Sequence, residues 1–348
     1  MFFNMWYNVM RMEEYAMSKV TILGTGAWGI ALGMLIEHNG HELTMWSKFS
    51  DEIDELKNSR ESKKYLPGVK IPESIYFTDN LDCVKDAEVV LLAVPSFAIA
   101  DVCREIKTLI NPDALILNAG KGLEPNSGVR FSQIISDILE RENSVVALSG
   151  PTHAEEVAIG IPSSVVVACQ DIKKAEAAQD LLMSEYMRAY VNSDIVGVEL
   201  GGALKNIIAL CAGICDGLDM GDNTKAALIT RGLAEITRLG MAMGGKPETF
   251  LGLAGMGDLC VTCYSKHSRN NRAGRLIGEG IEPKKAIEQI GTVEGFYALE
   301  TVYKLSKDMN VEMPIISECY NIFNNGLSPI EAISHLMLRP KKSEKIEL

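Results

Sequence analysis

The run Gly24-Thr25-Gly26-Ala27-Trp28-Gly29 follows the apolar stretch Val20 to Leu23 and precedes the helix-compatible stretch Ile30 to Glu37. Strand, glycine turn and helix in this order constrain the chain more than any other feature, because they form the start of a dinucleotide-binding unit. Gly24 permits the tight turn, Gly26 lets backbone approach a pyrophosphate, and Gly29 lets the helix pack on its strand. The helix N-terminus then offers free N–H groups to the anion. The competing reading is a glycine-rich turn that holds no ligand.

Short β-branched runs continue from this start, alternating with helical stretches as far as about Asn192. They are Glu42 to Trp46, Glu88 to Val94, Ala114 to Asn118, Ser144 to Ser149, Ser164 to Cys169 and Arg188 to Val191. Such alternation implies a mostly parallel sheet covered by helices. Their apolar character on both faces suits buried parallel strands. After Ile195 strand signals nearly vanish, and Ile195 to Leu218 reads as one long connecting helix. The expected organisation is an extension at 1–16, an α/β domain at 17–194, an all-α domain at 195–340 and a charged tail at 341–348. Met17-Ser18-Lys19 directly precedes the first strand, which makes Met17 the expected biological start.

A chain of 348 residues, 47% hydrophobic, is long enough to divide into two domains, each with its own core. Its formal charge of −12 argues against a nucleic-acid or membrane-surface binder, which needs a basic face. Any anion site must therefore be local. The eight cysteines are scattered, with no obvious secretory leader, which suits reduced thiols in the cytoplasm. Cys260 and Cys263 form a CxxC, but no second ligand pair stands at zinc spacing, and no metal is expected.

Chemistry-bearing residues gather at the expected C-terminal ends of strands and at the domain junction. An acid about twenty residues beyond the glycine turn suits the ribose of NAD, whereas a cation suits the extra phosphate of NADP. Here the second strand runs into Ser47-Lys48-Phe49, so Lys48 favours NADP, with Asp51 or Glu52 left as ribose partners. Lys121, between Gly120 and Gly122, is a candidate to bind substrate or to stabilise charge at the reacting carbon; an ordinary turn lysine is the alternative. In Gly150-Pro151-Thr152-His153, Thr152 reads either as a helix cap or, with the Gly150 N–H, as a cleft-facing donor. His153 is more readily structural than catalytic.

Helical spacing stacks Gly201, Lys205 and Ala209 on one face. The lysine is thus flanked by residues too small to cover it, and partial burial would lower its pKa enough to accept a proton from a substrate hydroxyl. Asn206 is placed to orient the substrate. Further along, Gly255 to Asn270 closes on Ser268-Arg269-Asn270, which reads as the phosphate grip of a small substrate: a guanidinium offers paired donors, while hydroxyl and amide add directional bonds.

Taken together, GTGAWG, NAGKGLE, SGPTHAEE, ELGGALKNIIAL, GLAGMGDLCVTC, SRNNRAG and GTVEG resemble the NAD(P)-dependent glycerol-3-phosphate dehydrogenases of the bacterial cytoplasmic type. The motifs run in this order from Gly24 to Gly295 and cover nearly the whole chain after Met17. The resemblance implies a Rossmann domain followed by a helical domain like that of 6-phosphogluconate dehydrogenase. It also implies interconversion of sn-glycerol 3-phosphate and dihydroxyacetone phosphate with NADP or NAD, feeding glycerophospholipid synthesis in the cytoplasm, and it leaves a homodimer open.

By matching position, the resemblance makes Lys205 the proton acceptor and Lys121 a contact to substrate and cofactor. Gly150, Thr152, Asp258, Ser268, Arg269 and Asn270 match substrate-binding positions. Ala27, Trp28, Lys48, Ala154, Arg269, Thr292 and Glu294 match cofactor-contacting ones. Ala27, Thr152 and Thr292 replace the commoner serine, serine and valine with little change of size. Lys48-Phe49 keeps only one cation where a basic pair is common, which weakens discrimination for NADP. The rival readings are a related hydroxy-acid or ketopantoate-type dehydrogenase and a non-catalytic redox sensor.

Overall fold

The computed structural model describes residues 17–125, 127–142 and 144–344. The expected extension at 1–16 and the last four residues of the charged tail lie outside the described residues.

The apolar runs pair into one sheet among the described residues. Its strands are β1 (Lys19–Leu23), β2 (Glu42–Trp46), β3 (Tyr76–Thr78), β4 (Val89–Leu92), β5 (Leu115–Asn118), β6 (Val145–Ser149), β7 (Ser163–Ala168) and β8 (Met187–Asn192). They lie in the order β3-β2-β1-β4-β5-β6-β7-β8. Every neighbouring pair is parallel except β6 and β7. The link between those two strands contains only a single helical turn, Ala154–Val157, in place of the full helix that usually connects parallel neighbours. β4 and β6 are buried along their whole length, as the sequence pattern requires of central strands. β3 escaped the sequence reading because three residues are too few to show a period, yet Thr44 pairs with Tyr76 in regular register.

The order of connection reverses between β1 and β4, which places the ligand crevice of a doubly wound sheet beyond the C-terminal ends of these strands. The segments that leave β1, β4, β5 and β6 there carry Gly24 to Gly29, Ser96, Lys121 and Gly150. Helix α1 (Ala27–His38) starts directly from the glycine turn.

The helical half is organised around α2 (Ile195–Gly217). By length and a mean hydropathy of 1.6 this helix is able to cross a membrane, but 94% of that window is buried inside the protein. It is apolar all round because neighbours enclose it: α3 (Gly221–Ala242), α4 (Asp258–Tyr264), α5 (Arg269–Gly278) and α6 (Glu294–Asp308) all pack on it. Leu200, Leu204, Ile207, Ile208 and Leu210 are fully enclosed, each contributing about 1.5–3 kcal/mol by removal from water.

Two polar anchors fix where α2 lies. Asp194 caps its start, with Oδ1 accepting from the Gly197 N–H at 2.9 Å and Oδ2 accepting from the Lys246 N–H at 2.8 Å. One turn further, buried Glu199 accepts from Arg130 Nη1 at 2.6 Å, the Ser132 N–H at 2.8 Å and Ser132 Oγ at 2.5 Å. These donors belong to the sheet half. The carboxylate thus ties the long helix to the sheet just before the turn that carries Lys205.

Candidate active site

At the glycine turn, a Cβ on Gly29 would stand 2.3 Å from the Gly24 carbonyl oxygen, so only glycine allows α1 to start so close to β1. A Cβ on Gly26 would meet nothing within 4 Å, which leaves that backbone open. Gly26 is also the N-cap of α1 and supplies no side-chain acceptor, so the first-turn N–H groups of α1 remain available to an anion. Next to them the indole N–H of Trp28 is buried without a hydrogen-bond partner. An open glycine, an uncapped helix start and an orphaned donor together fit a dinucleotide. Ala27, Trp28 and Ala154 belong to one apolar cluster, and α1 packs against the turn Ala154–Val157.

The second group of residues meets at Asp258, the first residue of α4. Lys205 Nζ donates to its Oδ1, and Lys121 Nζ donates to its Oδ2 at 2.8 Å. Lys121 also donates to the Gly150 carbonyl at 2.9 Å, and Lys205 to Thr262 Oγ1 at 2.8 Å. Ser149, at the end of β6, adds a donor to Oδ2 at 3.3 Å. β5, β6, α2 and α4 therefore converge on one carboxylate that is 1% exposed.

Charge follows from this geometry. Burial alone would raise the Asp258 carboxyl, but the Lys121 and Lys205 ammoniums outweigh it and hold the group below the usual carboxylate range. For Lys205, burial is the largest influence, and together with the Lys121 charge it outweighs Asp258. The ammonium pKa falls to about 8. A lysine so placed holds a proton at neutral pH and loses it within reach of mild alkali, which suits proton exchange with an alcohol.

The structure buries Lys205 more completely than the partial burial expected of it. Small neighbours do not leave it open; it is 6% exposed. A Cβ on Gly201 would stand 2.5 Å from the Ala254 carbonyl oxygen, and one on Gly202 2.6 Å from Ser149 Oγ. Both glycines admit neighbouring chain, the wide turn Leu253–Gly257 and the end of β6, and Asp258 with Thr262 covers the lysine. Thr152 does not cap the following turn either. His153 holds the N-cap position without a side-chain bond, while Thr152 Oγ1 donates to the Gly150 carbonyl at 3.2 Å. His153 approaches the Val261 carbonyl at 3.5 Å, and burial chiefly lowers its pKa.

The Ser268-Arg269-Asn270 triplet divides into two supports and one free cation. Ser268 is buried and caps α5, its Oγ accepting from the Asn271 N–H at 3.2 Å. Asn270 is buried too. It donates to Asn206 Oδ1 at 3.0 Å and accepts from the Gly295 N–H at 2.8 Å. This chain links α2, α5 and the start of α6. α5 lies against α2 so closely that a Cβ on Gly274 would stand 2.0 Å from the Leu210 carbonyl oxygen. Arg269, in contrast, is exposed and makes no hydrogen bond or ion pair among the described residues. Its positive charge bears on Glu294, whose carboxyl is raised chiefly by burial and accepts from Ser96 Oγ at 3.0 Å. Thr292 lies two residues before Glu294, half-buried.

A narrow cleft lined by Ser96, Lys121, Asn206, Glu294 and Tyr297 runs beside the lysine cluster. A larger depression of about 360 Å³, lined by Tyr190, Asn192, Lys246 and Thr249, shares no residue with the cluster or the glycine turn. The narrow cleft is the one that reaches the cluster, through Lys121. Lys48 lies apart from it, its ammonium 3.2 Å from Glu105 Oε1. Cys263 of the CxxC faces the core of the helical half, and Cys260 contacts Met256 Sδ at 3.5 Å.

Sequence reasoning missed Thr262 and Ser96. Thr262 stands four residues after Asp258, so helical spacing alone stacks the two. Ser96 follows β4 at the crevice edge, where the sheet rule directs attention.

Two family models match the chain. The NAD-dependent glycerol-3-phosphate dehydrogenase N-terminus covers residues 19–175, and the C-terminus of the same family covers residues 194–334. The chain is 48% identical to glycerol-3-phosphate dehydrogenase (NAD(P)+) of a Thermoanaerobacter species, over 94% of this chain and 98% of that one. It is 46% identical to the protein of the same name from Lysinibacillus sphaericus, over 95% and 99%. Among solved structures, glycerol-3-phosphate dehydrogenase from Coxiella burnetii superposes with a TM-score of 0.88 at 37% identity, covering 93% of this chain and 99% of that one.

Proposed function

The chain belongs to the NAD-dependent glycerol-3-phosphate dehydrogenase family, and from that premise we propose how its residues interconvert sn-glycerol 3-phosphate and dihydroxyacetone phosphate. The observation that carries the reading is the meeting of Lys121 and Lys205 on Asp258 at the sheet edge that also carries the glycine turn. A nicotinamide bound there supplies the hydride acceptor for C2 of the alcohol. Neutral Lys205 takes the C2 hydroxyl proton as the C–O bond becomes a carbonyl; in the reverse direction its ammonium returns that proton. Lys121 steadies negative charge on the same oxygen. Asp258 holds both ammoniums in register and is a positioning residue.

The substrate phosphate needs a cation that nothing else occupies, and Arg269 at the start of α5 is such a group. Its guanidinium and the first-turn N–H groups of the helix suit a phosphate, with Ser268 and Asn270 fixing where that helix begins. Binding the phosphate orients C2 toward the nicotinamide. Arg269→Ala is expected to lower kcat/KM for dihydroxyacetone phosphate by about 100-fold, chiefly through KM. An unchanged efficiency removes Arg269 from the phosphate site.

Cytoplasmic phospholipid-precursor supply, the expectation from the resemblance, is part of the same proposal. The test of the whole reading is cofactor oxidation with dihydroxyacetone phosphate against a panel of 2-keto acids. Turnover of the acids alone would instead favour the hydroxy-acid dehydrogenase reading.

A further inference from the structure

We infer that the Glu52 carboxylate occupies the ribose-reading place of the dinucleotide site and makes this chain prefer NADH over NADPH; the inference rests on the family reading above. β2 ends beside the glycine turn, where the Gly24 N–H donates to the Trp46 carbonyl at 2.8 Å. The next residue, Ser47, is the one that stands about twenty residues past the turn, where doubly wound sheets carry an acid for the ribose 2′-hydroxyl or a cation for a 2′-phosphate. Ser47 is neither. It is buried, and its Oγ donates to Glu52 Oε2 at 2.6 Å.

Thr25, inside the glycine turn itself, donates to the same Glu52 oxygen at 2.6 Å. The acid is therefore delivered to the ribose place from the first turn of the following helix, Ser50–Ser59, and held there by hydroxyls from both neighbouring strand ends. Glu52 Oε1 accepts no hydrogen bond among the described residues, and no lysine, arginine or histidine nitrogen forms an ion pair with the group. Lys64 feels its charge without pairing with it, and that ammonium stands over the Tyr65 ring at 4.7 Å. The cation that favoured NADP in the sequence, Lys48, is two-thirds exposed and paired with Glu105.

A ribose 2′-hydroxyl can donate to the free Oε1. A 2′-phosphate brings negative charge against the same carboxylate, and among the described residues no cation is ion-paired with that carboxylate to offset the repulsion. On this inference the preference runs opposite to the one that Lys48 alone suggested.

The test is equilibrium titration of the full chain with NADH and with NADPH, without substrate, followed by tryptophan quenching. NADH is expected to bind about tenfold or more tightly than NADPH. Glu52→Gln keeps an acceptor for Thr25 and Ser47 while removing the charge, and is expected to bring the two affinities to within about threefold, mainly by strengthening NADPH. A wild-type chain that binds NADPH as well as NADH overturns the inference without need of the variant. So does a Glu52→Gln chain with an unchanged ratio. Binding of neither dinucleotide would overturn the family-based reading, and this inference with it.

Discussion

In the glycine turn, the open backbone comes from six consecutive residues: Gly26 has free space beside it and the helix start is uncapped. Around Asp258, Lys121, Ser149, Lys205 and Thr262 come from four separate elements, and the site is closed by its own groups. The first region leaves its first-turn backbone donors without a side-chain cap, as the proposed dinucleotide site requires. The second works by pairing charges beforehand, so that two lysines remain ordered in a buried place. An open turn tolerates change in its surroundings, whereas a closed charge cluster depends on every member.

The sharpest way to separate the two regions is Lys205→Ala. It is expected to lower kcat in both directions by about 10²–10⁴-fold while NADH binding, read by fluorescence titration, stays near wild type. Equal loss of binding and turnover would mean that the regions are not independent. Asp258→Asn strikes the closed region differently, by leaving two buried ammoniums without their counter-charge. A destabilisation of about 3–5 kcal/mol is expected in denaturant unfolding, since one partner of a buried charge group has been removed. If stability barely changed, the cluster would not be closed in the sense described.

A smaller effect lies in pH. Lys205, lowered to about 8 chiefly by burial, must be neutral to accept a proton and charged to return it. Alcohol oxidation should therefore fall about tenfold per pH unit below that value, and carbonyl reduction should fall above it. Initial rates in the two directions across this range check the sign. Parallel profiles for both directions would assign the titration to another group.

Much of the fold was legible because it is local. Alternating apolar runs gave the strands and their mostly parallel pairing, and Ile195 to Leu218 read as one long helix, which the structure ends at Gly217. What escaped detection was either too short, as with Tyr76–Thr78, or set by a short connection, as with the antiparallel step from β6 to β7. The site was legible as residue types rather than as contacts. Lys121, Lys205 and Asp258 were singled out separately, but their meeting depends on how α2 and α4 lie against the ends of β5 and β6. The division of the phosphate triplet was hidden for the same reason: Ser268 and Asn270 are held in a helix cap and a buried amide chain, and only Arg269 keeps its side chain free.

By itself, the sequence determined the glycine turn, the alternation of strands and helices and the residue types from which the candidate site is built, because each depends on neighbours within a few turns of chain. Tertiary structure alone decided that Lys205 is fully rather than partly buried, that two lysines share one carboxylate, and that Glu52 is bound by Thr25 and Ser47 at the end of β2 while Lys48 pairs with Glu105. Those outcomes depend on Coulomb and desolvation terms between groups up to 137 residues apart, which no local pattern encodes.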